Sequence, residues 1–166
     1  MNPWRLSWRA DPYGRNIADR HYNRQKVGSP QFVPPGRCLV LIADNAVWTT
    51  SYPFAKYVKH EWAGAWVNSL FRKECDGKAS DMIRAAVAAT RYLWSPPEKG
   101  MVTFVDPRKV PATKVRGESI YGYCYAKAGF THVGFTKSKL WAWQMLPENM
   151  PAAAPAIGQC ESHWWY

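Results

Sequence analysis

The stretch 66–135 constrains the fold of this chain more than any other part of the sequence. An apolar run at 66–71 leads through a short loop at 74–79 into a helical pattern over 80–94. A second apolar run at 102–105 and a Tyr/Ala-rich segment follow. A strand, a glycine-containing turn and a helix N-terminus in this order predict an anion-binding site, because backbone N–H groups and the helix dipole both point there.

The helix over 80–94 has the clearest periodicity in the chain. Ser80 is predicted to cap its N-terminus, Asp81 lies at the positive end of the dipole, and Pro96 and Pro97 end the helix. Its apolar residues recur every three or four positions, as one buried face requires. They are Met82, Ile83, Ala86, Val87, Thr90, Leu93 and Trp94.

The other elements are predicted from shorter patterns of apolar residues bounded by Gly, Pro, Asn and Asp. The predicted strands are 38–43, 46–50, 66–72, 101–105, 132–136 and 140–145; the predicted helices are 17–25 and 119–128; the predicted loops are 28–36 and 107–118. The alternation of strands and helices indicates an α/β fold. Gly129 is predicted as the left-handed cap of the second helix.

Over roughly residues 36–146 the chain resembles the GNAT (Gcn5-related N-acetyltransferase) fold. That fold holds the coenzyme A pyrophosphate on a Q/R-x-x-G-x-G/A loop between its fourth strand and third helix. Gly77 and Ala79 match its last two positions, and Glu74 stands where Gln or Arg is usual. The segment 122–130, with its Ala-Gly-Phe exit, resembles the last helix of the fold. The alternative is another α/β sandwich with a glycine turn.

This resemblance implies a mixed, mostly antiparallel central sheet flanked by helices. It also implies acetyl-CoA or a related acyl donor, bound at Gly77, Lys78, Ala79 and Ser80. A carboxylate at Glu74 would be unfavourable beside a pyrophosphate, which puts ordinary coenzyme A binding in question.

Length and composition predict one domain over 1–146, followed by a Pro/Ala-rich mobile tail over 147–166. The sequence has no apolar run of membrane-spanning length and no apolar signal core, so we expect a cytoplasmic protein with no membrane partner. Its four cysteines are scattered without a C-x-x-C pair, which predicts reduced thiols rather than disulfides or a zinc site.

The net charge of +10 is concentrated in two segments. Residues 1–37 carry seven Lys or Arg against two acids, and residues 99–139 carry eight against two. Such a field attracts polyanions, and its interleaving with aromatic residues favours nucleic acid over the alternative, a charge that serves solubility alone.

His21 and Tyr22 are adjacent in one of the basic segments. Histidine titrates near neutrality and binds metals, and tyrosine can donate a proton or orient a base. The pair is therefore a candidate site, against the alternative that His21 only caps or packs.

Asp106 follows a predicted strand, at the sheet edge where ligands bind in open α/β folds, although Asp before Pro is also a common turn former. Near His21 it could fix the imidazole tautomer or complete a metal site. Tyr121 and Tyr123 follow in the next predicted helix. A tyrosine in this helix of GNAT enzymes often protonates the departing thiolate, which makes both of them candidates.

His21, Tyr22, Asp106 and Tyr123, in this order, resemble the phage Mom family of GNAT-like proteins. These add a carbamoylmethyl group to adenine N6 in DNA and are linked to a bound iron and an acyl-CoA-type donor. The resemblance implies that these four residues are catalytic, that His21 and Asp106 could hold the iron, and that a phage-encoded protein would act in the host cytoplasm.

Phosphate contacts are expected from basic residues near these positions. The candidates are Arg20, Arg24, Lys26, Arg108, Lys109, Lys114 and Arg116. A modified base must leave the duplex and stack on an aromatic ring, for which Tyr22, Phe32 and Trp48 are candidates.

Three functions follow as hypotheses. The first is a Mom-like enzyme that modifies a base in DNA. The second is a GNAT acetyltransferase for a small-molecule or protein amine, and the third is a nucleic-acid-binding module without catalysis. Monomer and homodimer both remain open.

Overall fold

The computed structural model describes residues 2–159 and shows a mixed α/β domain. Its strands are β1 Arg5–Leu6, β2 Cys38–Ala43, β3 Ala46–Ser51, β4 Trp66–Lys73, β5 Met101–Val105, β6 Thr113–Val115, β7 Glu118–Ile120, β8 Thr131–Phe135 and β9 Trp141–Met145. Its helices are α1 Pro12–Ala18, α2 Ala79–Leu93 and α3 Tyr123–Ala128, with short 3₁₀ turns at Ala55–Tyr57 and Pro147–Asn149. None of the helices formed by these residues is long and apolar enough to cross a membrane.

Seven strands form one mostly antiparallel sheet, in the order β1-β2-β3-β4-β5-β9-β8, while β6 and β7 form a separate hairpin. The one parallel pair is β4 and β5. The helix α2 connects them, because parallel neighbours need a crossover. They pair only over residues 66–68 and 101–103, although β4 continues to Lys73 and β5 to Val105. The two strands therefore separate toward their C-terminal ends.

The main core lies between this sheet and the helices α2 and α3. The predicted apolar face of α2 is confirmed, with Ile83, Ala86 and Val87 fully buried. Trp4, Trp48 and Trp66 are also fully buried in this cluster. Each large apolar side chain buried in this way contributes about 1.5–3 kcal/mol. Much of the high tryptophan content therefore serves the core.

Most predicted elements are confirmed to within two residues. The strands predicted at 38–43, 46–50, 66–72 and 101–105 are β2 to β5, and those predicted at 132–136 and 140–145 are β8 and β9. The first hairpin turns at Asp44 and Asn45, where Asn45 has a φ of 53°. Gly129 caps α3 in the left-handed conformation, as predicted.

The helix predicted at 17–25 is wrong, because α1 occupies 12–18 instead. The Asp11 side chain accepts a hydrogen bond from the Tyr13 N–H at 3.0 Å, and Pro12 lies at the first helical position. This Asp-Pro pair is a strong helix start that outweighs the weaker apolar pattern further on.

Two predicted helix boundaries are also wrong. Lys78, rather than Ser80, is the N-cap residue of α2, and it provides no side-chain cap. The last helix begins at Tyr123 instead of 119, because residues 118–120 form a strand with 113–115. The turn at Arg116 and Gly117, both with positive φ, closes this hairpin inside the predicted basic loop.

The predicted tail packs on the domain as far as residue 159. Ala156 is only 3% exposed, and the Ile157 N–H donates to the Trp4 carbonyl at 3.0 Å. The Leu6 N–H in turn donates to the Ile157 carbonyl at 2.8 Å. The segment up to 159, which the sequence predicts as a separate tail, is therefore attached to the domain by backbone hydrogen bonds and by the buried Ala156, while the side chains of 152–155 stay exposed. The rest of the predicted tail, 160–166, lies outside the described residues.

The described cysteines Cys38, Cys75 and Cys124 are free thiols, in agreement with the absence of paired spacing in the sequence. Cys160 lies outside the described residues.

Candidate functional site

The site forms where β4 and β5 separate. Thr49 of β3 pairs with Leu70, and Thr50 pairs with Asn68, so Ser69 is an extra, bulged residue in β4. A bulge bends its strand and often lies beside a functional site. Beyond Asn68 and Thr103, the last paired residues, the strands enclose an open fork.

A buried hydrogen-bond network holds this fork. The Asn68 side-chain oxygen accepts from the Tyr125 hydroxyl at 2.7 Å and from the Thr103 hydroxyl at 3.1 Å. The Asn68 amide donates to the carbonyls of Thr49 and Leu70 at 3.0 and 2.9 Å. Because every side-chain group of Asn68 is satisfied, the network stabilises one position of the strands and of α3.

The N-terminal segment 21–23 bridges the two diverging strands. The Asn23 side-chain amide donates to the Ser69 carbonyl of β4 at 2.9 Å, and His21 lines the same cavity as Leu70 and Phe71 of that strand. On the other side, the Tyr22 hydroxyl accepts from the Asp106 N–H, just after β5, at 3.3 Å. The predicted His-Tyr pair therefore lies in the fork.

A cavity of about 340 Å³ lies between this segment, the two strands and α3. A cavity of this size can enclose a small ligand. Its lining residues include His21, Tyr22, Asn23, Asn68, Ser69, Phe71, Thr103, Tyr123 and Cys124. A second depression is lined by Tyr22, Asp106, Lys109 and Leu140, among others. Tyr22 borders both.

Burial sets the protonation of the groups in the cavity. It lowers the pKa of His21, as does the charge of Arg72, while the hydrogen bond to Asn23 acts in the opposite direction. Burial raises the pKa of Tyr22 and of the Cys124 thiol. At neutral pH we therefore expect a neutral imidazole and protonated hydroxyl and thiol groups.

Asp106 contacts Tyr22 through its backbone, and its carboxylate is paired with Arg108 instead of His21. The Arg108 guanidinium lies 2.9 and 3.2 Å from the two carboxylate oxygens, and these hydrogen bonds lower the pKa of Asp106. The His21 Nδ1 lies 2.6 Å from the Asn23 side-chain oxygen. The expectation that Asp106 fixes the imidazole tautomer is therefore not met, and the ring is held by Asn23 instead.

The iron implied by the Mom resemblance does not fit the donors in this arrangement. Residues 2–159 contain no group of three or more His, Cys, Asp or Glu side chains that could hold a metal ion. Both carboxylate oxygens of Asp106 are bound by Arg108, and His21 is held by Asn23.

The two candidate tyrosines differ in position. Tyr123 lines the cavity, at the first position of α3. Tyr121 precedes the helix and is not among the lining residues of the cavity, and its ring packs edge-on against Trp141 at 5.4 Å. Tyr123, rather than Tyr121, therefore remains the candidate proton donor.

The loop predicted to bind a pyrophosphate carries more positive charge than its sequence indicates. Glu74 accepts hydrogen bonds from Arg20 at 2.6 and 2.7 Å and from Arg72 at 2.7 Å, which lower its pKa to about 2. Gly77 has a φ of 104° with open space where a Cβ would lie. Glu74, whose carboxylate was expected to repel a phosphate, thus holds the guanidinium groups of Arg20 and Arg72 at the loop.

Several predicted DNA-facing residues are used inside the fold. The Arg24 side chain is only 8% exposed and binds Asp19 and the carbonyls of Ser29 and Gln31, so its predicted phosphate contact is wrong. Phe32 and Trp48 are buried and cannot stack on a base. The basic residues that stay at the surface are Lys26, Arg108, Lys109, Lys114 and Arg116, while Arg20 is half exposed in its ion pair with Glu74.

Sequence reasoning missed Asn23, Asn68 and Thr103. A signal for two of them was present, because Asn68 and Thr103 are polar residues inside otherwise apolar strands. A polar residue at such a position must find a buried partner. Its partner, Tyr125, lies 57 positions away from Asn68, which no local pattern reveals.

Comparison with protein-family models, curated proteins and solved structures finds no match for this chain. The class that the described residues define is a mixed α/β domain with a mostly antiparallel sheet and an open fork between its two parallel strands.

Proposed function

We propose that this chain is a GNAT-like transferase that modifies a nucleobase in DNA, as the Mom family does. The observation that carries the proposal is the insertion of segment 21–23 into the fork, where His21, Tyr22 and Tyr123 line one cavity. Residues about 100 positions apart in the sequence, each predicted to be catalytic, therefore meet beside the separated strands.

Two features of the fold support the GNAT-like part of the proposal. The glycine loop follows the fourth strand, β4, and leads into the N-terminus of a helix, α2. The last helix, α3, leaves through Gly129, with a φ of 108°, directly into β8. Both are positions at which the sequence resembles that fold.

An acyl donor is supported by the surroundings of the loop 74–80. The first N–H groups of α2 have no side-chain cap, and Gly77 leaves the backbone open to an approaching anion. Arg20 and Arg72 offset the charge of Glu74. Arg20, which pairs with Glu74 of this loop, directly precedes His21 in the sequence, so the loop lies close to the segment that lines the cavity.

The residues of the cavity suit transfer to an amine. A coenzyme A thioester, when bound, supplies an electrophilic carbonyl carbon and a thiolate leaving group. The neutral His21 can accept a proton from an attacking exocyclic amine, and Asn23 holds its ring. The hydroxyl of Tyr123 or Tyr22 can donate to the thiolate. The C–N bond of an amide thus replaces the C–S bond, so the product of this step is an N-acyl base, a modification related to but different from the carbamoylmethyl group of the Mom family.

DNA as the acceptor is supported by charge. The surface residues Arg108, Lys109, Lys114 and Arg116 follow β5, whose end borders the fork. They belong to the segment with eight Lys or Arg against two acids. Phosphate contacts from such residues would position a strand so that an extruded base reaches the cavity.

The test is mass analysis of nucleosides from the DNA of cells that express the protein. We expect a base of new mass with the wild type and far less of it with His21→Ala or Tyr22→Phe. Tyr57→Phe, at an exposed tyrosine that is not among the residues lining the cavity, is the matched control.

Two outcomes would contradict the proposal. Unchanged DNA together with acetyl-CoA turnover on a small-molecule or protein amine would identify the acetyltransferase. Unchanged DNA with no turnover, but tight and salt-sensitive DNA binding, would identify a binding module without catalysis.

A further inference from the structure

Two hairpin tips place a basic residue in a left-handed backbone conformation. The β6–β7 turn has Arg116 at a φ of 51° and Gly117 at 83°, the pattern of a type I′ turn, whose first position is usually Asn, Asp or Gly. The β8–β9 turn is a three-residue loop, 137–139, and its last residue, Lys139, has a φ of 69°. Hairpin loops of this length usually have Gly at that left-handed position. The only other described non-glycine residue with positive φ is Asn45.

A basic residue at each of these two positions costs stability, and no ion pair in the described part of the chain offsets that cost. A left-handed conformation strains a side chain with a Cβ, and a long basic residue has no local hydrogen bond to offset the strain, as Asn has. Arg116 and Lys139 are exposed and form no ion pair with another described residue. Strain that persists at an exposed position suggests a function there.

A row of aromatic rings lies between the two hairpins. Tyr121, just after β7, packs against Trp141 of β9 at 5.4 Å, and Trp141 stacks on His132 of β8 at 4.2 Å. Phe135 meets Trp141 edge-on at 5.7 Å and is 54% exposed. The row therefore connects the hairpins and ends in an open ring next to the β8–β9 turn.

We infer that Arg116, Lys137, Lys139 and Phe135 form a DNA-docking surface, here called the hairpin surface. The basic tips contact phosphates, and the Phe135 ring stacks on an unpaired base. Cations beside an exposed aromatic ring are the features that bind single-stranded nucleic acid. The inference rests on the proposed function, for which the DNA must present an unpaired base.

The position of this surface agrees with that role. Leu140 follows Lys139 and lines the depression that also contains Tyr22, Asp106 and Lys109. A DNA strand bound at the β8–β9 turn would therefore lie beside the fork. Lys109 would extend the row of cations toward the fork, because its side chain is exposed and forms no ion pair within residues 2–159.

The strain at the tips makes the test specific. Arg116→Asn and Lys139→Gly introduce the residues that these turns prefer, so we expect an unchanged or higher melting temperature together with weaker DNA binding. The probe is a fluorescent duplex with one unpaired adenine, titrated at several salt concentrations. Each variant should reduce the log–log salt slope by about 0.9, the value for one phosphate contact.

Phe135→Ala tests the stacking part. It should weaken binding to the duplex with the unpaired adenine about five-fold or more and leave the salt slope unchanged, because one stacked base rather than a phosphate contact is lost. A fully paired duplex should show a smaller loss.

Three controls separate charge from turn chemistry. Asn45→Gly changes the third left-handed turn, and Lys59→Ala removes an exposed lysine on another segment. Both should bind like the wild type. Arg116→Lys with Lys139→Arg keeps the charges and should also retain binding.

Wild-type affinity and salt slope in both tip variants would overturn the inference. If these variants bind normally while the wild type still modifies a base, the hairpin surface is wrong and the proposed function stands. If they lose binding while no base is modified by the wild type, the surface stands and the proposed function is wrong.

Discussion

Asn68 is the residue on which the fork depends most. It makes four side-chain hydrogen bonds, to Tyr125, Thr103, Thr49 and Leu70, and it is 4% exposed. A polar group in such a position stabilises the fold only while its partners are satisfied. Its role is therefore to fix where β4 and β5 separate.

Asn68→Ala should cost about 2–3 kcal/mol of unfolding free energy, because it leaves the buried hydroxyls of Tyr125 and Thr103 with fewer partners. Thr103→Val, which removes one donor and keeps the shape, should cost about 1 kcal/mol. Urea unfolding at neutral pH measures both. A loss for Asn68→Ala no larger than that for Thr103→Val would contradict the role of the network.

Glu74 provides a prediction that depends on pH. Its pKa is lowered from 4.5 to about 2 by Arg20 and Arg72, so its contribution to stability is fully present above about pH 4.5 and is lost as the pH falls toward 2. Glu74→Gln should therefore lower the melting temperature at pH 7 and have little effect near pH 2. An equal difference at both pH values would show that the ion pairs do not stabilise the fold.

Among the secondary-structure elements, the sequence predicts the helices and strands that follow from local periodicity, and it misses the features that follow from the register between strands. The hairpin 38–51 and the helix α2 follow from their own patterns. The bulge at Ser69 does not, because it is defined by how β4 pairs with β3. For the same reason the sequence placed His21 and Tyr22 among the candidates without showing that they fill the fork.

Two glycines give a matched comparison between elements. A Cβ at Gly100, just before β5, would lie 2.0 Å from the Met145 carbonyl oxygen, whereas a Cβ at Gly77 would meet no atom within 4 Å. Gly100→Ala should cost about 3 kcal/mol or more, and Gly77→Ala only about 1 kcal/mol of backbone strain. Thermal unfolding measures both, and similar losses would contradict the open loop at Gly77.

The Gly77 loop has a second test, directed at its ligand. Gly77→Val should weaken coenzyme A binding in calorimetry while the fold is largely kept, because a branched side chain blocks the backbone from the phosphate. If the wild type itself does not bind coenzyme A, the donor belongs to another chemical class. The first explanation to test is then that Glu74, through its ion pairs with Arg20 and Arg72, keeps these cations from the phosphate.

In the described part of the chain as a whole, segments from both ends of the sequence pack on the central sheet. Ile157 pairs with Arg5 of β1, β1 pairs with β2, and the segment 21–23 lies in the fork. Composition alone suggested a tail from 147 onward, because Pro and Ala carry no periodic signal. Only the tertiary contacts show that these residues belong to the domain.

The central claim is that the segment 21–23 and α3 form one catalytic cavity, and a double-mutant cycle tests it most directly. The measurement is the rate at which modified base accumulates after induction, at equal protein levels, in Tyr22→Phe, Tyr123→Phe and the double variant. Each single change should slow the reaction about 10²-fold, the lower end for a lost proton donor. The double variant should be no slower than the slower single variant, because residues that act as a unit fail together. Wild-type rates in both single variants, or losses that multiply in the double variant, would contradict the claim.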